Sequence, residues 1–424
     1  METIAILLLL LAVVIAGIAA WLVHRSWNRV IAHPIVLTLA MMGAIYVVPM
    51  RLAHHASDAT LRLMNLSLVG LMLGCMLFYA IPRRRQCRYS PPRDAFHPKL
   101  INYVLFITLL ITGIFFMCVL DRFSLREFAS YYGKSKVGTA WVFILLTINY
   151  VIVLYMLLVE RVRLWNPKIV AILALTLMTL VTRGQRGTYV FLGLIYMIWS
   201  LSRVRKFPFR LVSVGVLALL MMGIATYFRY NFDVDRLANY MTVGVFVDFD
   251  NVKNVNHLTE NIDDIGLQYG MTIIDMLQFY VPRAIWPGKP VSHYANRIMY
   301  PDLYVSGRTT SFTIGLIGNS YLNFGSVGVL IAHILFAIAL CSVYERLILH
   351  CDQGDQTSAY LCAVVLAYCC YLFVMSGILN KMIAHFLLVL GSFRLFIWGT
   401  RTASWVVAEV MTPGIADSDI PYDS

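Results

Sequence analysis

Eleven stretches of this chain are apolar over lengths that match or approach a bilayer crossing, and they leave little room for another architecture. They cover residues 3–23, 31–50, 63–82, 100–120, 140–159, 169–182, 187–202, 211–228, 324–344, 358–379 and 386–400. A spanning helix needs about 20 mainly apolar residues, and the shortest of these, 169–182, 386–400 and 187–202, fall clearly short of that. The runs are continuous rather than alternating, which disfavours a β-barrel. Charged residues make up 13% of the chain, against about a quarter in soluble domains, so one large soluble core is a poor reading. The expected fold is all-α, a polytopic integral membrane protein of about 11 helices, with roughly ten to thirteen as bounds. The first stretch starts at Thr3 without a basic leader or a clear small-residue cleavage site, and reads as a retained helix rather than a signal peptide.

Basic residues fix an expected orientation. Arg25 and Arg29 follow the first stretch; Arg83, Arg84, Arg85, Arg88, Arg93 and Lys99 follow the third. Arg161, Arg163 and Lys168 follow the fifth, and Arg203, Arg205, Lys206 and Arg210 follow the seventh. By the positive-inside rule these links face the cytoplasm. The N-terminus then lies outside and the tail over 404–424 inside. The net charge of +12 is in part this signal, with the arginines meeting anionic lipid. No basic domain or reader motif points to nucleic acid. The eight cysteines sit mostly in apolar stretches without zinc-type spacing, so packing is their expected role and no metal is expected. Asp121–Thr139 mixes aromatic and charged residues like an outer interfacial helix.

Between Tyr230 and Thr310 no stretch spans convincingly, and the orientation places this long excursion outside. At its centre, Gly270–Tyr280 reads as a short amphipathic helix stopped by Pro282, with Pro287 and Pro290 stiffening the backbone beyond it. Arg283, Trp286 and Lys289 lie on that stiff strip, and His293, Tyr294, Arg297 and Arg308 come after it. Trp286 suits stacking on a sugar ring or packing at the interface. His293 suits acid–base chemistry or a structural hydrogen bond. Asp248, Asp250 and the pair Asp263 and Asp264 are further candidates for a base, which must come within hydrogen-bond reach of its proton.

Two membrane-edge motifs flank the excursion. Arg183-Gly184-Gln185-Arg186-Gly187 joins two short stretches on the outer side, where the positive-inside rule disfavours arginine. If helical, its arginines share a face and together suit a phosphate, since guanidinium is a rigid donor fork. The alternative is a hairpin whose arginines reach lipid phosphates. Arg229 ends the eighth stretch on the same side, either in a site or in an aromatic interface belt. The chain re-enters through Gly315–Gly328, where four glycines accompany Asn319 and Asn323. That composition reads as close helix packing or as a broken helix facing a cavity. His333 and Arg394 lie inside apolar stretches and are functional candidates or structural partners.

Three motifs together resemble the bacterial O-antigen repeat-unit polymerase (Wzy) family: Arg-Gly…Arg-Gly at 183–187, Pro-Arg-Ala-Ile-Trp-Pro-Gly-Lys-Pro at 282–290, and Gly-Asn-Ser-Tyr-Leu-Asn-Phe-Gly…Gly at 318–328. Asn319 stands where the family pattern has an acidic residue. The resemblance covers roughly residues 140–345. It implies a bundle over 1–228 with about eight helices, a large periplasmic loop over 229–312, C-terminal helices over 313–403 and an architecture like the integral-membrane (GT-C-like) glycosyltransferases. It also implies transfer of a growing glycan from undecaprenyl pyrophosphate to the next lipid-linked unit. The setting is lipopolysaccharide synthesis at the bacterial inner membrane, without metal or cofactor, with a chain-length-determining co-polymerase as partner. Under it, Arg283 and Lys289 serve catalysis, with Asp248, Asp250 or His293 as base. Arg183, Arg186 and Arg229 bind pyrophosphate, while Trp286, Asn319, Tyr321 and Asn323 line the sugar path.

Two other readings remain open at this point: ligation of the glycan to another acceptor such as lipid A core, and transport of the lipid-linked sugar. The absence of an internal repeat and the unduplicated loop speak against a transporter.

Overall fold

The computed structural model describes residues 27–47, 55–81, 99–120, 140–160, 162, 165–183, 186–203, 251–272, 274–275, 285–286, 294–301, 314–375 and 389–392. These are all-helical. The elements are α1 (Trp27–Ile31), α2 (Pro34–Met42), α3 (Asp58–Ala80), α4 (Lys99–Leu120), α5 (Ala140–Leu158), α6 (Pro167–Arg183) and α7 (Arg186–Arg203), then α8 (Val252–Glu260), α9 (Ile262–Ile265), α10 (Tyr294–Met299), α11 (Gly315–Asp352) and α12 (Gln356–Met375). Among the described residues, α3 and α11 are long and apolar enough to cross a membrane, and the apolar cores of α4, α5, α6 and α12 are shorter. The expected stretches 3–23 and 211–228, the interfacial segment 121–139 and the tail lie outside the described residues, as does most of 386–400.

Local chemistry sets several boundaries. Pro34 opens α2 after His33 takes an extended conformation, because proline fits the first turn, where its missing N–H costs nothing. The helix of the second apolar stretch therefore begins at Pro34 rather than at Ile31, and α2 runs into a π-turn over Gly43–Val47. The third begins at Asp58 rather than Leu63, since the Ser57 side chain caps it by accepting from the Thr60 amide. Such a cap contributes about 1 kcal/mol.

The core seam joins α3 to α11. Gly70 faces Leu330 and His333, and Gly74 faces Ile334 and Ala337. Further along, the Tyr79 hydroxyl donates to Glu345 Oε1 at 3.3 Å. The register advances together on both helices, so they run parallel. The Gly70-x-x-x-Gly74 spacing lets the two backbones touch, which dispersion and small-residue packing reward inside a membrane. A Cβ on Gly74 would lie 2.4 Å from the Ile334 carbonyl oxygen, and backbone cannot step aside. Gly74→Leu is expected to cost about 1–3 kcal/mol through overpacking, read as a lower thermal midpoint by fluorescence-detected size exclusion. Gly113→Leu, with no atom within 4 Å of the added Cβ, is the tolerant control.

α12 packs antiparallel to α7: Phe191 meets Tyr368 at 5.1 Å between ring centroids, and Trp199 meets Tyr360 at 5.8 Å. α5 joins them through Tyr360, whose hydroxyl donates to the Val151 carbonyl at 2.8 Å. Cys75, Cys341 and Cys370 are buried within this packing.

Candidate active site at the loop-bearing end

The helix contacts sort the chain's polar groups to two ends. At one end Arg29 pairs with Asp352 at the close of α11. Lys168, opening α6, donates to Asn102 near the start of α4. Arg203 closes α7 and sits over the Trp199 ring, 4.6 Å from its centroid. These belong to the basic links that the sequence groups on one side. At the opposite end lie the start of α3, the start of α11, the close of α6 at Arg183 and the start of α7 at Arg186. The described part of the long excursion docks at this second end.

That docking is specific. The Asn256 amide, on α8, accepts from the Ser57 backbone N–H at 3.0 Å and donates to the His55 carbonyl at 2.7 Å. One side chain thus satisfies two backbone groups next to the α3 cap. Leu258, Ala295, Met299, Ile314 and Leu322 form a small core joining α8, α10 and the start of α11. His257 stacks on Tyr300, with ring centroids 4.4 Å apart, and its Nε2–H donates to the Met299 carbonyl at 2.8 Å. The Tyr300 hydroxyl donates to Asn254 Oδ1 at 2.9 Å. Burial pushes that phenol up to about 12, because the charged form loses water, so Tyr300 remains a donor at neutral pH.

The N-terminal half of α11 is where excursion and bundle lock together. α11 begins at Gly315, nine residues before the apolar stretch expected at 324. It is broken at Phe324 (φ −138°, ψ 16°) and Gly325 (φ 65°, ψ −158°). Of the two expected readings of the Gly/Asn composition, the broken helix holds at this point. The break leaves the carbonyls of Leu322 and Asn323 open to other donors. The Gln268 amide bonds the first at 2.9 Å and the Tyr269 amide the second at 3.0 Å. Asn323 Oδ1 accepts from the Gly270 amide at 2.9 Å, and its Nδ2 donates to Thr272 Oγ1 and to the Asn319 carbonyl, each at 2.7 Å. Tyr269, whose φ is positive (43°), links the second and third of these amides, and all three face the break.

Beside this lock, Tyr294 donates its hydroxyl to Gln268 Oε1 at 2.6 Å and its amide to Asp275 Oδ2 at 3.1 Å. Arg297 lies 3.8 Å from Asp275 and 5.6 Å from the Tyr294 ring centroid. A cation, a carboxylate and an aromatic ring therefore stand together within a turn or two of the broken helix.

The expected site residues fall in several places. Asn319, Tyr321 and Asn323 share the first half of α11 against the docked excursion. Asn319 is buried, with Nδ2 donating to the Gly315 carbonyl at 3.1 Å, and Tyr321 is half-buried. Arg183 and Arg186 end one helix and begin the next. They lie on two separate helices rather than one continuous helix, so the shared-face condition is not met. Trp286 is half-buried beyond a turn at Ile285. Arg229, Asp248, Asp250, Arg283, Lys289 and His293 lie outside the described residues, as does Arg394. His333 is fully buried, and its Nδ1–H donates to the Val329 carbonyl at 2.7 Å within its own helix. Gln268 and Thr272 build the lock, and Asp275 stands beside it, but they carry no sequence signal that sets them apart. Gly70 and Gly74 did carry one, their four-residue spacing in an apolar helix.

Comparison with curated proteins returns no match, and comparison with solved structures returns none either. The model of the O-antigen polysaccharide polymerase Wzy family matches residues 45–373. That span takes in the α3–α11 seam, Arg183 and Arg186, the docked excursion and the broken helix, and the chain therefore belongs to the O-antigen polysaccharide polymerase Wzy family.

Proposed function

We propose that this chain moves a growing glycan from its undecaprenyl pyrophosphate carrier onto the next lipid-linked repeat unit, at the periplasmic face of a bacterial inner membrane. Family membership supports the polymerase role. The observation that supports the site assignment is that Arg183, Arg186, the described part of the excursion and the broken α11 lie at one end of the bundle, opposite Arg29, Lys168 and Arg203. The basic end then faces the cytoplasm. The remaining apolar stretches complete about eleven spans, in an architecture of the GT-C-like kind.

In the reaction, the acceptor hydroxyl oxygen attacks the anomeric carbon of the donor sugar. The bond from that carbon to the lipid pyrophosphate breaks, and the leaving group takes the electron pair. Preorganised cations in a partly dry site stabilise the developing charge without a metal. Arg183, Arg186, Arg283 and Lys289 take that role, with Arg229 beside them. Asp248, Asp250 or His293 receives the acceptor proton. Trp286 and Tyr321 flank the sugars, while Asn319 and Asn323 hold the wall formed by α11. A co-polymerase sets chain length.

The test uses purified protein in liposomes, fed lipid-linked repeat units alone in the presence of a chelator. The expected result is a ladder of glycans with release of carrier pyrophosphate. A single transfer that requires added lipid A core would indicate a ligase. Carrier crossing the bilayer without pyrophosphate release would indicate a transporter.

A further inference from the structure

The segment from Gly266 to Ile274 inverts the pattern of a water-exposed loop. Its polar side chains turn inward: Gln268 donates to the Ile265 and Gly266 carbonyls and accepts from Tyr294, while buried Thr272 bonds Asn323. Four of its apolar side chains turn outward. Leu267, Met271 and Ile274 are exposed, and Tyr269 is 76% exposed. No charged residue lies between Gly266 and Ile274. In water, contiguous exposed apolar groups of this kind mark an interaction surface.

The neighbouring surface identifies the partner. On α11, Phe324, Ile331 and Leu335 are exposed, and Val327 is 67% exposed. Val327, Ile331 and Leu335, four residues apart, lie along one stripe of a helix long enough to cross a membrane, with Phe324 at the break just before it. The segment abuts the head of that stripe. A Cβ on Gly270 would lie 3.8 Å from Phe324 Cζ, and one on Gly325 would lie 3.9 Å from Leu267 Cδ1. The amide bonds from Gln268 and Tyr269 to the α11 carbonyls hold the two surfaces in register. One continuous apolar face thus runs from the spanning helix onto the excursion.

We infer that residues 267–274 are a membrane foot: the exposed side chains of Leu267, Tyr269, Met271 and Ile274 insert into bilayer lipid at the loop-bearing end and continue the lipid-facing stripe of α11. The aromatic ring of Tyr269, apolar in body and polar at its tip, suits the headgroup boundary. The foot seats the helix break at the depth where a lipid-borne headgroup emerges. It stands apart from the transfer reaction proposed above, because contact with lipid is measured without turnover.

The test places photoreactive p-benzoyl-phenylalanine at position 269 or 271 of the full chain. The protein is reconstituted in phosphatidylethanolamine–phosphatidylglycerol liposomes carrying a trace of radiolabelled phospholipid, with no saccharide substrate. Position 327 on the stripe is the positive reference, and exposed Asp264 on α9 is the polar reference. After irradiation, positions 269 and 271 are expected to take label within about twofold of 327 and about fivefold or more above 264, as insertion at the acyl boundary requires. Label at 269 and 271 nearer that of 264 overturns the inference. So does an unlabelled 327, since the face being continued would then not meet lipid. Lack of activity in a variant that takes lipid label would bear on the transfer reading alone.

Discussion

Arg283→Ala is expected to slow repeat-unit transfer by about 100-fold or more, the usual cost of losing one preorganised group aimed at developing negative charge. The readout is the initial rate of ladder formation in liposomes, normalised to correctly inserted protein. Arg186→Ala should act in the same direction, because both guanidinium groups are assigned to the same leaving group. The lysine variants separate two modes of action. A simple charge site recovers part of the rate with Lys, whereas a bidentate grip does not, since ammonium lacks the planar fork. Arg203→Ala at the opposite end, where the side chain rests on Trp199, should leave the rate within about twofold, as expected of a surface cation remote from the reacting charge. Long glycan made at normal rate by both Arg283→Ala and Arg186→Ala would remove these residues from the site.

Gly325→Ala is expected to unlock the excursion from the bundle. Space is not the obstacle, for the nearest atom to an added Cβ is 3.9 Å away. The obstacle is the backbone: φ 65° with ψ −158° is open to glycine and costs an L-residue about 1–3 kcal/mol. The least costly escape is to continue α11 straight through the break, which withdraws the Leu322 and Asn323 carbonyls from the Gln268 and Tyr269 amides. Gly328→Ala reaches the same end by another route, since its Cβ would lie 2.5 Å from Phe324 Cβ in the bent form. Hydrogen exchange in a peptide spanning 266–272 should then quicken by about tenfold for each 1.4 kcal/mol lost, while the α3–α11 seam stays protected. Unchanged exchange in both variants would mean that the glycine does not maintain the break.

Much of this arrangement was legible along the chain. Continuous apolar runs announced helices, and the ends of α4, α5, α6 and α7 fall within a few residues of the expected limits because such ends coincide with charged or glycine-bearing links. The Gly315–Gly328 composition announced irregular backbone, since glycines permit it and the asparagines have no use in a plain helix contact. The position of the break was not legible: it depends on amide donors from Gln268 and Tyr269, more than fifty residues away in sequence. Nor was the seat of the excursion, which rests on Asn256 meeting His55 and Ser57 across some two hundred residues. The outward face of Leu267, Tyr269 and Met271 was hidden for the same reason. Only the docked geometry shows that Gln268 and Thr272 point inward. The arginine pair was half legible, because the motif named the residues while the helix ends place them on two helices rather than one.

The central claim is that the loop-bearing end holds the carrier pyrophosphate. A structure determined with a non-hydrolysable lipid-linked oligosaccharide bound tests it most directly. Pyrophosphate oxygens are expected within hydrogen-bond distance of Arg186 or Arg283, at the bundle end that holds Arg183, Arg186 and the start of α11. Pyrophosphate bound at the opposite end, among Arg29, Lys168 and Arg203, would contradict it.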